Sequence, residues 1–176
     1  QDGERITCLS ILVDVLAGGR VPFFPYLAAF AARPMLLLRL PVIALQVMIP
    51  GPLSEELGWR GYALDALQAR YNALVSSLVL GLIWALWHLP QFFYLFDPLM
   101  APGWAIGLFA GAVLLTWLYN STHGSVFMVA LWHAGFNYVT ASAADTGPLP
   151  AVLSAIVILW AVLVVVRTGP KSLVSI

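Results

Sequence analysis

The stretch YNALVSSLVLGLIWALWHLPQFFYLF, residues Tyr71–Phe96, contains no formally charged side chain. A helix that crosses a bilayer needs about 20 mostly apolar residues, so this run predicts a membrane-spanning helix. The scarcity of charge extends well beyond the run, because only Asp97 and Asp145 are formally charged between Tyr71 and Val166. Water cannot solvate so long an apolar surface, and we therefore predict that this region lies in a membrane.

The composition of the whole chain indicates the same class of protein. Of the 176 residues, 61% are hydrophobic and 9% are charged, whereas a typical soluble domain carries roughly a quarter charged residues. The formal net charge is zero, so there is no basic surface that would indicate a nucleic-acid partner, and membrane lipid is the expected surrounding. Cys8 is the only cysteine, which excludes a disulfide within the chain.

Three further apolar runs are long enough to predict spanning helices. They are Pro102–Tyr119, Ser125–Ala143 and Leu149–Val166. A fifth and shorter run, Met35–Ile49, ends at Pro50-Gly51-Pro52. We therefore predict an all-α, polytopic transmembrane helix bundle with a Pro-Gly-Pro break before the helix that contains Glu55.

Three glycines in the second long run recur at four-residue spacing: Gly103, Gly107 and Gly111. This spacing places them on one face of a helix. Small residues on such a face let a second helix approach closely within a membrane. The sequence therefore predicts a helix-packing surface at these glycines.

The chain divides into two parts. Residues 1–34 are apolar but interrupted by prolines, and the chain begins with Gln1 rather than Met. We expect this part to be truncated or interfacial. Residues 35–176 contain the apolar runs, and we expect them to form the functional core of a multi-pass integral protein of a bacterial-type cell membrane.

Few polar side chains occur within or beside the apolar runs. They are Glu55, Glu56 and Arg60 after the Pro-Gly-Pro sequence, His88 in the first long run, and His133 and Asn137 in the third. At a rise of 1.5 Å per residue, His88 lies about 22 Å along its helix and His133 about 13 Å along its own, inside a core about 30 Å thick. A backbone break at this depth is tolerated only against protein or a water-filled cavity. We therefore predict that Glu55, His88 and His133 share one cavity.

Each of these groups also has a purely structural explanation. Glu56 and Arg60 at i,i+4 form a common helical ion pair. His88 is compatible with a histidine bonded to a backbone carbonyl, and His133 with a residue that joins two helices. Three separate helices would then each need an unrelated reason for an intramembrane polar group, whereas such groups are usually functional. We therefore favour a functional site and interpret Trp84 and the neighbouring tryptophans as packing residues or cavity walls.

Two chemical arrangements remain open for this set. In the first, Glu55, His88 and His133 bind a zinc ion whose open position holds a water molecule. In the second, Glu55 and His88 deprotonate water directly, while His133 and Asn137 donate hydrogen bonds to the oxyanion. The HExxH helix of zincins is absent, and no serine or cysteine lies in a convincing nucleophile motif. The expected cofactor is therefore either none or zinc.

The three polar segments together resemble the CAAX-prenyl-protease and bacteriocin-processing family, also called CPBP or Abi. That family shows EExxxR, then an aromatic residue four positions before a histidine, then HxxxN. The corresponding stretches here are Glu55–Arg60 (EELGWR), Trp84–His88 (WALWH) and His133–Asn137 (HAGFN). The resemblance covers about residues 50–166, and Trp84 stands where the family usually has phenylalanine.

The resemblance implies that the chain hydrolyses peptide bonds within the membrane. The implied catalytic residues are Glu55, His88, His133 and Asn137, and the implied supporting residues are Glu56, Arg60 and Trp84. In this assignment Glu55 and His88 activate water, while His133 and Asn137 serve the oxyanion or a metal site. Members of the family are commonly described as metalloproteases, which leaves zinc and direct glutamate catalysis both open.

We therefore interpret residues 35–176 as the core of an intramembrane endopeptidase that acts on peptide or membrane-protein substrates. One alternative is a non-catalytic immunity or scaffold protein on the same fold. Another is a proton-coupled transporter that uses Glu55 and the histidines as a relay. Transporters often show internal repeats, and the sequence shows none.

Overall fold

A computed structural model describes residues 48–93, 98–142 and 149–174. These described residues form helices and turns and contain no β-strand, which confirms the predicted all-α class. The proposed N-terminal part, residues 1–34, lies outside the described residues, as do residues 35–47 of the first short apolar run.

The described residues contain six α-helices, which we number in chain order. They are α1 (Ser54–Gly58), α2 (Asp65–Gln68), α3 (Ala73–His88), α4 (Ala101–Ser121), α5 (Val126–Ser142) and α6 (Leu149–Thr168). Two π-helical turns, Ile49–Leu53 and Trp59–Leu64, flank α1. Short 3-10 turns, Leu89–Phe93 and Pro98–Met100, lie after α3 and before α4.

The Pro-Gly-Pro sequence takes the form of a wide π-helical turn rather than a loop. The residues on either side of it, Met48 and Leu53, keep right-handed helical backbone angles. Proline has no backbone N–H to donate to the helical ladder, and the chain here adopts the wider π spacing, which occurs as single turns within helices. Ser54 Oγ donates to the Gly51 carbonyl oxygen at 2.8 Å. The helical path therefore continues through Ser54 into α1.

Local sequence signals set both ends of α3. The side-chain oxygen of Asn72 accepts a hydrogen bond from the Val75 backbone N–H at 2.9 Å, which caps the first turn. At the other end, Pro90 has no backbone N–H to continue the helical ladder, and the chain tightens into the 3-10 turn after His88, where the Leu89 N–H donates to the Leu86 carbonyl oxygen. As a result, His88 lies at the very end of α3.

Three helical stretches of the described part are long and apolar enough to cross a membrane. They are Ala73–Phe93, Ala101–Ser121 and Ala151–Thr168. The remaining predicted span, Ser125–Ala143, corresponds to α5, which has 17 residues. At 1.5 Å per residue, α5 is about 26 Å long, slightly shorter than a hydrocarbon core of about 30 Å.

Helix α4 lies at the centre of the described bundle and packs against both α3 and α6. Five consecutive residues of α4, Ala112 to Thr116, are buried. Because consecutive residues point in all directions around a helix, this level of α4 is enclosed on every side. By contrast, α3 and α6 expose large apolar side chains such as Leu82 and Leu163, as expected for faces that contact lipid.

The glycine face of α4 does not pack as the spacing predicts. Among the described residues, no atom lies within 4 Å of a Cβ atom placed at Gly103 or Gly111, and a Cβ atom at Gly107 would meet Ser154 Oγ of α6 at 3.9 Å. The close helix approach occurs instead at Gly81 of α3, where a Cβ atom would lie 2.9 Å from Phe109 Cδ1 of α4. Within the part of the chain that the structure describes, the predicted packing surface is therefore absent at Gly103 and Gly111.

Candidate active site

The two adjacent glutamates of α1 point in different directions, because successive residues of a helix are rotated by about 100°. Glu56 is fully buried, whereas Glu55 is only partly buried. The side chain of Glu55 lines a cavity between the helices. The Glu-Glu pair therefore supplies one carboxylate to the cavity and a second carboxylate to the protein interior.

The buried carboxylate of Glu56 binds two partners. Arg60 Nη1 donates to both of its oxygens, at 2.9 and 2.8 Å, so the ion pair expected from the i,i+4 spacing is present. His133 Nδ1 lies 2.8 Å from Glu56 Oε1. An ionised carboxylate only accepts hydrogen bonds, so Nδ1 of His133 carries a proton and donates. Glu56 thereby joins α1 to α5. Because Nδ1 of His133 faces Glu56, the other ring nitrogen, Nε2, faces away from that carboxylate.

Trp84 of α3 connects Glu55 to the rest of this network. Its indole Nε1–H donates to Glu55 Oε2 at 2.9 Å. Its ring lies edge-on to the His133 ring at a centroid distance of 5.3 Å, and the Arg60 Cζ atom lies 4.9 Å from its centroid. Trp84 is 7% exposed, so the hydrogen bond to Glu55 forms in a largely desolvated environment and fixes the orientation of the carboxylate.

The imidazole of His88 is held by backbone. Its Nδ1 lies 2.9 Å from the Trp84 carbonyl oxygen. A carbonyl oxygen can only accept, so Nδ1 carries the proton, and in the neutral ring the lone pair is on Nε2. The ring also contacts the rings of Trp84 and Trp104, at centroid distances of 5.8 and 5.6 Å. His88 therefore has an accepting Nε2 available for a proton.

One cavity of about 180 Å³ brings the predicted polar residues together. Glu55, His88, His133 and Asn137 all line it, as does Trp84. The rest of its wall is mostly apolar and comes from α4, α5 and α6: Trp104, Gly107, Leu108, Gly111, Leu115, Trp132, Phe136, Ser154 and Val157. Asn137 lies one helical turn after His133 and is exposed. The cavity thus has a carboxylate, two imidazoles and an amide among its lining side chains.

The same residues test the zinc hypothesis. A carboxylate and two imidazoles are suitable zinc ligands by type. Across residues 48–93, 98–142 and 149–174, however, no three His, Cys, Asp or Glu side chains are arranged to hold one metal ion. Glu55, His88 and His133 therefore do not fit a shared metal in this arrangement, and no chemical step is assigned to one below.

Two features of the site have no counterpart in the sequence motifs. The contact between Glu56 and His133 joins residues 77 positions apart, and the Trp84–Glu55 hydrogen bond joins residues 29 positions apart. Spacing within one helix cannot indicate either contact. The one available signal was the tryptophan itself, because a buried indole N–H usually finds an acceptor.

Comparison with known proteins agrees with the resemblance in the motifs. A family model described as type II CAAX prenyl endopeptidase Rce1-like matches residues 37–139, more than half of the chain. The curated protein "CAAX prenyl protease 2" from Methanococcus maripaludis is 28% identical over 137 residues, covering 73% of this chain and 49% of that protein. The chain thus spans about half the length of this relative. No solved structure matches the chain. By the extent of the family match, the chain belongs to the Rce1-like family of type II CAAX prenyl endopeptidases.

Proposed function

We propose that this membrane protein is a multi-pass intramembrane endopeptidase that hydrolyses peptide bonds of membrane-associated substrates. The observation that carries the proposal is the single cavity lined by Glu55, His88, His133 and Asn137. Peptide hydrolysis needs a base for water and donors for a tetrahedral oxyanion, and these side chains include both. The family membership supports the same reaction class.

Water activation is assigned to Glu55 and His88. Glu55 Oε2 accepts from Trp84 Nε1, which leaves the second oxygen of the carboxylate for a water molecule. His88 donates through Nδ1 to the backbone, so its Nε2 can accept a proton from that water. Both groups are anchored through Trp84, which holds them in place without a direct bond between them.

Oxyanion stabilisation is assigned to His133 and Asn137. The Asn137 amide is a donor at any pH. His133 Nδ1 is occupied by Glu56, so its Nε2 donates when the ring is doubly protonated. In that form its positive charge is stabilised by Glu56, whose charge is shared with Arg60. This arrangement follows the general pattern in which a buried carboxylate orients a catalytic imidazole.

The test is a cleavage assay on the purified chain in lipid nanodiscs. One panel of internally quenched peptides carries a farnesylated cysteine near the carboxyl end, because the curated relative is named as a prenyl protease; a second panel lacks the lipid. We expect Glu55→Gln and His88→Ala each to lower turnover about 10²–10⁴-fold, the usual contribution of general acid–base catalysis. His123→Ala is the matched control, since His123 is exposed in the turn between α4 and α5.

Three results would contradict the proposal. An unchanged cleavage rate in Glu55→Gln would exclude Glu55 as the carboxylate that activates water. Equal loss in His123→Ala and His88→Ala would mean that histidine replacement acts through folding rather than chemistry. Failure of the folded wild-type chain to cleave either panel would favour a non-catalytic scaffold protein.

A further inference from the structure

Two of the three repeated glycines of α4, Gly107 and Gly111, line the cavity of the candidate site. Five residues of α4 line the cavity: Trp104, Gly107, Leu108, Gly111 and Leu115. At about 100° per residue, these positions form one face of the helix, and Gly111 falls near its middle. A side chain at position 111 would therefore point into the cavity.

The three glycines differ in what surrounds them. A Cβ atom at Gly107 would meet Ser154 at 3.9 Å, whereas one at Gly111 would meet no atom of the described residues within 4 Å. A Cβ atom at Gly103 would also meet none of them, but Gly103 is exposed and is not part of the cavity wall. Among these glycines, Gly111 alone combines a place in the cavity wall with open space where a side chain would project.

The size and lining of the cavity make this space selective. At about 180 Å³, the cavity is smaller than the roughly 300–1,000 Å³ of common small-molecule pockets, so each added carbon removes a notable part of it. The side chains nearest to Gly111 along the helix face, Leu108 and Leu115, are apolar, as is Val157 of α6. A polar substrate group placed there would lose its water without gaining a partner.

We propose that Gly111 sets the upper size limit of the apolar substrate side chain that occupies the cavity beside the scissile bond. The inference rests on the proposed endopeptidase function and extends it to a residue outside the three sequence motifs. Gly111 has no group that takes part in chemistry. It determines specificity because its missing side chain leaves room in the cavity that Glu55, His88 and His133 also line.

The experiment crosses a series of variants with a series of substrates. Gly111→Ala, Gly111→Val and Gly111→Leu are assayed in nanodiscs against peptides that differ only in the residue beside the scissile bond, which is Ala, Val, Leu or Phe. The readout is the ratio of kcat/KM for the Ala peptide to that for each larger peptide. One methylene in an apolar pocket changes such ratios about 10–200-fold, so we expect the ratio to rise at least about 10-fold in Gly111→Val, with Phe and Leu peptides affected first.

The control is Gly103→Val, which adds the same side chain to the same helix away from the cavity. It should leave every ratio unchanged. If wild type cleaves the peptides and the Gly111 series leaves the ratios at the wild-type values, the size limit is wrong while the endopeptidase proposal stands. The size limit is also wrong if Gly103→Val shifts the ratios as much as Gly111→Val does, and in that case too the endopeptidase proposal stands. If folded wild type cleaves none of the peptides, both proposals fail together. If Gly111→Leu does not fold, Gly111→Ala is compared with wild type on the Ala and Phe peptides. A higher ratio of kcat/KM for the Ala peptide to that for the Phe peptide in Gly111→Ala supports the size limit, and an unchanged ratio contradicts it.

Discussion

At the scale of single residues, Trp84 contacts most of the polar groups in the candidate site. Its N–H donates to Glu55, its carbonyl accepts from His88, and its ring contacts His133 and Arg60. Phenylalanine, the usual residue of the family at this position, would keep the ring contacts and the carbonyl. The indole N–H to Glu55 is therefore the contribution that tryptophan makes beyond an aromatic ring.

Trp84→Phe tests this contribution. A hydrogen bond to a charged group contributes about 1.5–3 kcal/mol, so we expect kcat to fall about 10–150-fold. Thermal unfolding, measured on the same sample, should show a variant that is still folded at the assay temperature because the ring is retained, with a midpoint lowered only by the loss of this one hydrogen bond. Trp87→Phe is the matched control, since Trp87 lies on the same helix and is 65% exposed. A Trp84→Phe variant with wild-type kcat would show that the N–H bond has no role in turnover.

The buried ion pair of Arg60 and Glu56 gives a prediction about stability. Both side chains are 0% exposed, and removal of one partner of a buried pair typically costs about 3–5 kcal/mol because the other charge is stranded. We expect Arg60→Ala to lower the thermal midpoint in detergent clearly and to reduce activity as well. Arg70→Ala, at an exposed position, should do neither. Equal midpoints for Arg60→Ala and wild type would refute the structural role of the pair.

Asn137 separates a role in chemistry from a role in folding. Loss of one oxyanion donor typically costs about 10²–10³-fold in kcat, and Asn137 is exposed at the cavity wall. We therefore expect Asn137→Ala to lose turnover to that extent while its unfolding midpoint stays at the wild-type value. A variant that loses both turnover and thermal stability, or one that loses neither, would contradict the oxyanion assignment.

At the scale of elements, the crossing of α3 and α4 depends on one glycine. A Cβ atom at Gly81 would lie 2.9 Å from Phe109 Cδ1 and 3.2 Å from Ala112 Cβ, both too close for ordinary contact. Gly81 therefore allows α3 to pack directly against the central helix. This contact positions α3, and with it Trp84 and His88, relative to the rest of the bundle.

Gly81→Ala should destabilise the protein although alanine is the better helix former. Overpacking of a tight contact typically costs about 1–3 kcal/mol, which exceeds the gain of about 0.5–1 kcal/mol from replacing glycine in a helix. Gly103→Ala, which adds a methyl group in open space, should not destabilise. The check is thermal unfolding of both variants side by side, and a Gly81→Ala midpoint at or above that of Gly103→Ala would contradict the packing argument.

At the scale of the whole molecule, the tail after α6 joins the described helices at the end opposite the cavity. Asn120 donates to the Ser172 carbonyl oxygen at 2.8 Å and exchanges hydrogen bonds with Gln68. The Ala73 backbone N–H donates to the Lys171 carbonyl oxygen at 2.9 Å. Ala73 and His88 are about 22 Å apart along α3, so this junction holds one end of α3 while the candidate site occupies the other.

Asn120→Ala should loosen this junction, although Asn120 is not among the residues that line the cavity. Its loss removes the hydrogen bonds to Gln68 and to the tail, at a cost of about 0.5–1.5 kcal/mol for each bond at this partly buried position. Because cleavage of a locally opened segment follows the opening equilibrium, we expect trypsin to cut after Lys171 about 10-fold or more faster. Ser121→Ala, at an exposed neighbour, is the control. Equal cleavage rates in both variants would show that Asn120 does not hold the tail.

Part of the fold and site was predictable because it depends on local sequence. The apolar runs were long enough to predict the helices around His88 and Gly107, and the four-residue spacing of Glu56 and Arg60 predicted their ion pair. The three motifs also indicated the family. Apolar length and helical period act between near neighbours along the chain, so these features can be read without knowledge of the tertiary structure.

Other features depended on how distant segments pack. The bond of Glu56 to His133, the bond of Trp84 to Glu55, and the choice of Gly81 rather than Gly111 for close helix contact all involve separate helices. Each follows from the rotation of one helix against another, which is decided by side-chain packing across the whole bundle. The sequence by itself determined the helices, the polar residue types and the local ion pair, whereas the tertiary structure decided which of those residues meet, because helix rotation is a property of the packed bundle.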